Sequence, residues 1–284
     1  MKEENWDLVI KPKSSWIDLR LAELWKYRDL LLLFVKRDFV AIYKQTILGP
    51  LWFFIQPILS TIMFTIVFGN FGGLSTDGLN DAKPLFYLTG LTLWNYFADC
   101  LTKTSETFNK NQNIFGKVFF PRLIVPLSIT VSSLLKFAIQ FLLLLVVWSY
   151  YYFIAGSSSV QPTNGLLLVP VLIIMMAGLS LGFGIIFSSI TTKYKDMNFL
   201  LQFGVQLLMY ASSVVIPISS MGSYAWIFKL NPMVNVIEAF KYAFLGVGEF
   251  SIMWLGYSFG FMLVLLFFGV IIFNRVEKSF MDTV

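Results

Sequence analysis

Two hydropathy regimes divide the chain. Up to Lys44, apolar residues recur at helical spacing among charges. From Gly49-Pro50 onwards, long apolar runs dominate. Six of these runs approach the ~20 residues that a helix needs to cross a ~30 Å hydrocarbon core. They are predicted at about 47–69, 85–103, 126–154, 165–191, 198–217 and 254–273. Before them, Ile17, Leu21, Leu24, Trp25, Leu32, Val35, Phe39 and Ile42 follow spacings of mostly three and four, with Asp18, Arg20, Glu23, Lys26, Arg28 and Arg37 elsewhere. That pattern predicts an amphipathic helix over 17–46, suited to lie at a membrane surface. A simple orientation anchor would have the same pattern but would not need thirty residues.

Two stretches depart from this scheme. Residues 219–250 are moderately apolar yet contain Asn231, Pro232, Asn235, Glu238, Lys241 and Glu249. A carboxylate and an ammonium near the middle of a lipid-facing helix would be expensive. The segment is therefore read as a re-entrant or interfacial helical hairpin, or else as a plain loop outside the membrane. Non-helical backbone at that depth has to face protein or a water-filled cavity. Residues 103–128, "KTSETFNKNQNIFGKVFFPRLIVPLS", begin polar and basic, turn apolar around Phe115 to Phe120, and reach Pro121-Arg122. A short helix with exposed aromatics, ended by proline, suits docking to a soluble partner. Contact of Phe115, Val118 and Phe119 with lipid is the other reading.

Composition agrees with a membrane protein. Apolar residues make up 57% and charged residues 13% of 284, against roughly 25% charged in soluble domains, and mean hydropathy is +0.74. The predicted class is an all-α polytopic membrane protein. Seventeen of the 21 Lys and Arg residues fall on one side of the predicted spans, with Lys83, Lys229 and Lys241 opposite and Lys136 within a span. By the positive-inside rule both termini are expected in the cytoplasm. Leu30 to Val35 is too short for a signal h-region and runs into Lys36-Arg37, so no cleaved leader is expected. The expected organisation is a 1–46 cytoplasmic segment, a 47–273 membrane domain with a loop at about 104–125 and a hairpin at about 219–250, and a 274–284 tail.

The chemistry the chain lacks narrows its function. Histidine is absent and Cys100 is the single cysteine, which argues against a zinc site, a disulfide framework or a His-based triad. Gly116-Lys117 has Asn111 where a phosphate-binding loop needs its first glycine, and Val118 where it needs Ser or Thr. No catalytic residue, bound cofactor, metal or nucleic-acid partner is expected. The spans show no chain of carboxylates of the kind an ion-coupled carrier uses. Lys136 either snorkels to the interface or meets an anionic group of a substrate. Gly178-x-x-x-Gly182 and Gly256-x-x-x-Gly260 predict close helix crossings. The many aromatics suit interfacial belts. Trp52, Trp94, Tyr96 and Tyr210 are also candidate conduit residues, because aromatic faces grip sugar C–H surfaces without charge. "KQTILGPLWFFIQPIL" reads as a joint. Gly49 loosens the surface helix, Pro50 opens a new one where first-turn N–H groups lack partners anyway, and Pro57 would kink the span two turns in.

"KRDFVAIYKQTILGPLWFFIQPIL" (36–59), "KVFFPRLIVPLS" (117–128), "TTKYKDMNFLLQ" (191–202) and "LNPMVNVIEAFKYAFLG" (230–246) together resemble the permease subunits of type-2 ABC exporters that move lipid-linked polysaccharide, such as O-antigen, capsule or teichoic acid. The likeness covers nearly the whole chain in order. It implies that 17–46 is an interface helix and that Asn113, Phe115, Lys117, Phe120, Pro121 and Arg122 belong to an element seated on a separate ATPase. It further implies that Asn231, Pro232, Glu238 and Lys241 belong to gate helices. Where the family often has arginine, Ile42 and Lys241 stand here. The implied assembly is a homodimer with two ATPase copies, which bind the ATP and Mg, in the bacterial cytoplasmic membrane. The substrate would be a lipid-linked, O-antigen-like polysaccharide. Related permeases for teichoic acid, drugs or small lipids are the alternative. A membrane transferase would need clustered His, Asp or Glu, and a secondary flippase more spans and buried charges. The purified chain is expected to hydrolyse no ATP; phosphate release by the chain alone checks this, and appreciable turnover would contradict it.

Overall fold

A computed structural model describes residues 21–44 and 49–281. The outer ends of the predicted surface helix (17–20 and 45–46) lie outside the described residues. Within them the helix forms as α1 (Leu21–Lys26) and α2 (Arg28–Lys44), divided at Tyr27. Gly49 has a left-handed φ of 48°, in open space where a side chain would be strained by the backbone alone. A tight turn at Gly49–Leu51 then starts α3 (Trp52–Phe64). The helix continues through Pro57, which shares its buried face with Phe53 and Thr61, and widens into a π-helical end at Thr65–Phe71.

The remaining helices are α4 (Lys83–Ser105), α5 (Thr107–Phe115), α6 (Ile124–Ser149, with a π-helical end to Ile154), α7 (Val169–Lys193), α8 (Met197–Tyr210), α9 (Ala225–Lys229), α10 (Pro232–Leu245) and α11 (Ile252–Met281). No strand occurs among the described residues. Among the described residues four helical stretches are long and apolar enough to cross a membrane: Trp52–Phe71, Ile124–Ile154, Asn164–Lys193 and Ile252–Glu277. Two of the six predicted spans look different. The 14 residues of α8 reach only about 21 Å. The second, α4, is long but less apolar, and its position explains why. It sits at the centre, packed by α3, α6, α7 and α10, with Leu85 to Trp94 buried without a break. A helix wrapped in protein can carry Thr89 and Thr92, whose hydroxyls donate to Leu85 O and Leu88 O one turn back, both at 2.7 Å.

Glycines set two crossings. A Cβ at Gly184 of α7 would lie 2.5 Å from Thr104 Cβ on α4. Gly178 and Gly182 face Met262 and Leu265 on α11, where a Cβ would approach to 2.3 and 2.9 Å. The second predicted motif makes no such crossing within the chain: Gly256 and Gly260 face open space, and it is Gly269 of α11 that meets Ile185. Spacing alone cannot tell these glycines apart, because contact depends on the facing helix. Gly184→Ala is expected to cost about 1–3 kcal/mol by overpacking, whereas Gly256→Ala gains up to about 1 kcal/mol of helix propensity. Thermal unfolding of the two variants in detergent checks the opposite signs.

Candidate functional site

The hairpin predicted at 219–250 forms from α9 and α10. Asn231 caps α10 by accepting from Met233 N at 3.2 Å, and Pro232 opens its first turn. Glu238 and Lys241, one turn apart, are among the least exposed side chains of the protein, at 1% and 0%. Lys241 Nζ lies 3.8 Å from Glu238 Oε1, 3.7 Å from the centre of the Phe86 ring on α4, and donates to Ser213 O. Glu238 accepts from the Ser213 hydroxyl and, through Oε2, from Glu249 N at 3.0 Å. The pair thus fastens three segments: α10, the link after α8, and the loop after α10. Both partner segments bend to reach it. Ser213 takes a left-handed φ of 61°, and Gly248, at φ 102°, leaves room where a Cβ would press on Glu238 Oε2. Asn235 Nδ2 donates to Lys229 O at 2.9 Å and to Ser258 Oγ at 3.0 Å, and Tyr257 OH donates to Leu230 O at 2.9 Å. The hairpin is therefore also tied to α11.

At the basic end of the protein the 104–125 loop folds differently from its expected form. Phe115, Phe120 and Arg122 turn inward, and Pro121 is half-buried; Asn113, Lys117, Val118 and Phe119 form the exposed tip. Aromatic rings run from Phe34 of α2 to Phe120 (5.7 Å), Phe115 (5.8 Å), Phe108 (5.9 Å) and Phe273 of α11 (4.7 Å). Arg122 lies over Phe115 at 5.3 Å and donates to Glu277 O at 2.8 Å, with Nε 3.8 Å from Glu277 Oε1. Burial pushes the Arg122 guanidinium pKa down, and the Glu277 carboxylate opposes that shift. Thr191 of α7 donates to Ser105 O at the end of α4 at 2.6 Å and accepts at its carbonyl from Asn109 of α5 at 3.3 Å, binding both helices to α7.

Lys136 finds a partner that the sequence did not single out. Asp99 of α4 bonds Lys136 at 3.1 Å, Lys103 at 2.8 Å and Ser133 at 3.0 Å, and Lys136 also faces the Phe53 ring at 5.6 Å. The four candidate conduit aromatics separate. Trp52 and Tyr210 are exposed on α3 and α8, whereas Trp94 and Tyr96 are buried, Trp94 packing on Phe97 and Tyr96 on Phe137. Between α4, α7 and α8 lies an apolar groove of about 350 Å³ lined by Phe97, Phe183, Leu200, Gly204 and Val205, with Asn231 at its polar edge. Among the described residues no three His, Cys, Asp or Glu side chains converge as a metal site would require. Asp99, Ser213, Gly248, Phe273 and Glu277 carry no motif. Arg122 and Glu277 are 155 positions apart, a separation at which only the fold indicates contact.

The family described as ABC-2 type transporter matches residues 29–245. An O-antigen export system permease protein RfbA of Klebsiella pneumoniae is 26% identical over 89% of this chain and 94% of its own length. Its namesake from Myxococcus xanthus is 25% identical over 79% and 83%. The polysialic acid transport protein KpsM of Escherichia coli is 27% identical over 83% and 89%. Breaking the buried pair leaves one ion without its partner, at a cost of about 3–5 kcal/mol. Lys241→Met is therefore expected to depress thermal stability in detergent sharply, while Glu238→Gln with Lys241→Met recovers most of the loss.

Proposed function

The chain belongs to the ABC-2 type transporter family of membrane proteins, and on that basis we propose that it is the permease subunit of an ATP-driven exporter of lipid-linked polysaccharide across the bacterial inner membrane. One observation carries the reading. Proteins named for O-antigen export and for polysialic acid transport align along 79–89% of the chain. The match therefore extends over most of the chain and is not confined to one motif. The organisation of the fold supports it. The basic end presents a small exposed tip, Lys117-Val118-Phe119, held from behind by the ring series and Arg122. That tip suits a groove on a soluble ATPase, and Asn113 stands beside it.

In this reading the basic end faces the cytoplasm, as do both termini, and the α9–α10 hairpin lies towards the outer leaflet. Two copies of the chain pair with two copies of the ATPase, which binds ATP and Mg. The exposed apolar faces of α3 and α8, including Trp52, Leu59, Phe203 and Tyr210, line the seam through which the polymer passes. The membrane domain of this reading is 47–273, with 1–46 before it and 274–284 after it assigned to the cytoplasmic side. Hydrolysis in the partner moves the tip, and the seam opens as rigid elements shift together.

Deleting the reading frame is expected to abolish surface polysaccharide and to leave its lipid-linked form inside the cell, without altering drug sensitivity. Immunoblotting of the polymer in surface and membrane fractions reads this out. Unchanged surface polymer would refute the proposal.

A further inference from the structure

The two ends just described share one element. The last turns of α11 hold both sides of the basic-end cluster: Phe273 meets Phe108 at 4.7 Å, and Glu277, one turn on, accepts from Arg122 at its main-chain carbonyl, with its carboxylate 3.8 Å from Arg122 Nε. Near its start the same helix holds the hairpin, through Ser258 to Asn235 and Tyr257 to Leu230 O. Between Ser258 and Phe273 lies about 22 Å of helix at 1.5 Å per residue. That stretch contains no proline and, although Gly260 and Gly269 lie in it, runs as one unbroken α-helix with no π-helical turn. In contrast, α3 contains Pro57 and both α3 and α6 end in π-helical turns.

We propose that Phe273 and Glu277 are positioning residues for the Phe115–Arg122 loop, and that α11 carries movement of that loop to the α9–α10 hairpin as a rigid rod. The proposal rests on the function proposed above. When the tip is pushed, Arg122 and Phe108 draw on the end of α11. The helix shifts along α7, against which Gly178, Gly182 and Gly269 let it lie close, and Ser258 and Tyr257 pull on the hairpin. A competing route exists through α6, which begins just after Arg122 and whose Trp148 Nε1 donates to Phe244 O of α10 at 2.8 Å.

Contiguity alone does not establish coupling, so the test is a double-mutant cycle on export. The complex of permease and ATPase is expressed with Phe273→Leu, Ser258→Ala, Trp148→Phe and the pairs. Surface polysaccharide, ATP hydrolysis, membrane abundance and co-purification of the ATPase are measured for each. Phe273→Leu is expected to lower export about fivefold with hydrolysis within about twofold of the parent. Phe273→Leu with Ser258→Ala is expected to export within about twofold of the worse single variant, because both interrupt one route, while Phe273→Leu with Trp148→Phe multiplies the two losses. If Phe273→Leu fails to accumulate, Phe273→Met takes its place in the cycle, because Glu277→Gln would leave the Arg122 bond to the main-chain carbonyl intact. Multiplied losses in the Phe273–Ser258 pair, or full export by Phe273→Leu or its Met substitute, would overturn the rod. A parent complex that exports no polysaccharide would instead overturn the function on which the rod depends.

Discussion

Ions enclosed in an apolar fold must find their partners within the protein, and much of this structure follows from that constraint. Glu238 and Lys241 are shut off from solvent. Unpaired, either would make its position untenable. Their mutual contact does not exhaust their hydrogen-bonding capacity, so Ser213 and the backbone of Glu249 are brought in. That requirement bends the link after α8 and the loop after α10 back onto α10, through backbone conformations that Ser213 and Gly248 hold at positive φ. Asp99 and Arg122 obey the same constraint elsewhere. Each gathers partners from separate helices, and together these ionic points tie α4 to α6, α10 to its two flanking links, and the loop after α5 to α11.

The central place of α4 resolves an oddity of composition. Its polar positions make it the least lipid-like of the long helices, and its neighbours take up the contact with the surroundings. α3, α8 and α11 expose apolar side chains instead. A helix enclosed by others needs complementary shape more than hydropathy, as the approach of Gly184 to Thr104 illustrates. The exposed apolar faces of α3 and α8 are then the surfaces left for contact with the surroundings.

The arrangement also separates two tasks. At the basic end, aromatic rings and Arg122 turn a flexible-looking loop into a braced tip. At the other end, the buried pair and the Asn235 bonds hold the hairpin. A braced contact transmits force where a loose one would absorb it, because packed interfaces switch between discrete arrangements and do not deform continuously.

The sequence by itself determined the membrane class, the all-helical architecture and the break at Gly49-Pro50. It also showed that 219–250 could not be an ordinary lipid-facing span. Those follow from local quantities: run length, period, backbone freedom and the cost of a charge in lipid. The quoted motifs also carried the family resemblance. Tertiary structure alone decided that Phe115, Phe120 and Arg122 point inward while Val118 and Phe119 remain outside, that Lys136 belongs to Asp99, and that Gly269, not Gly256 or Gly260, lies at the α7 crossing. It alone decided that Glu277 closes the cluster around Arg122. In each case a side chain's role depends on a partner dozens of residues away, and neither hydropathy nor spacing encodes which helix stands opposite.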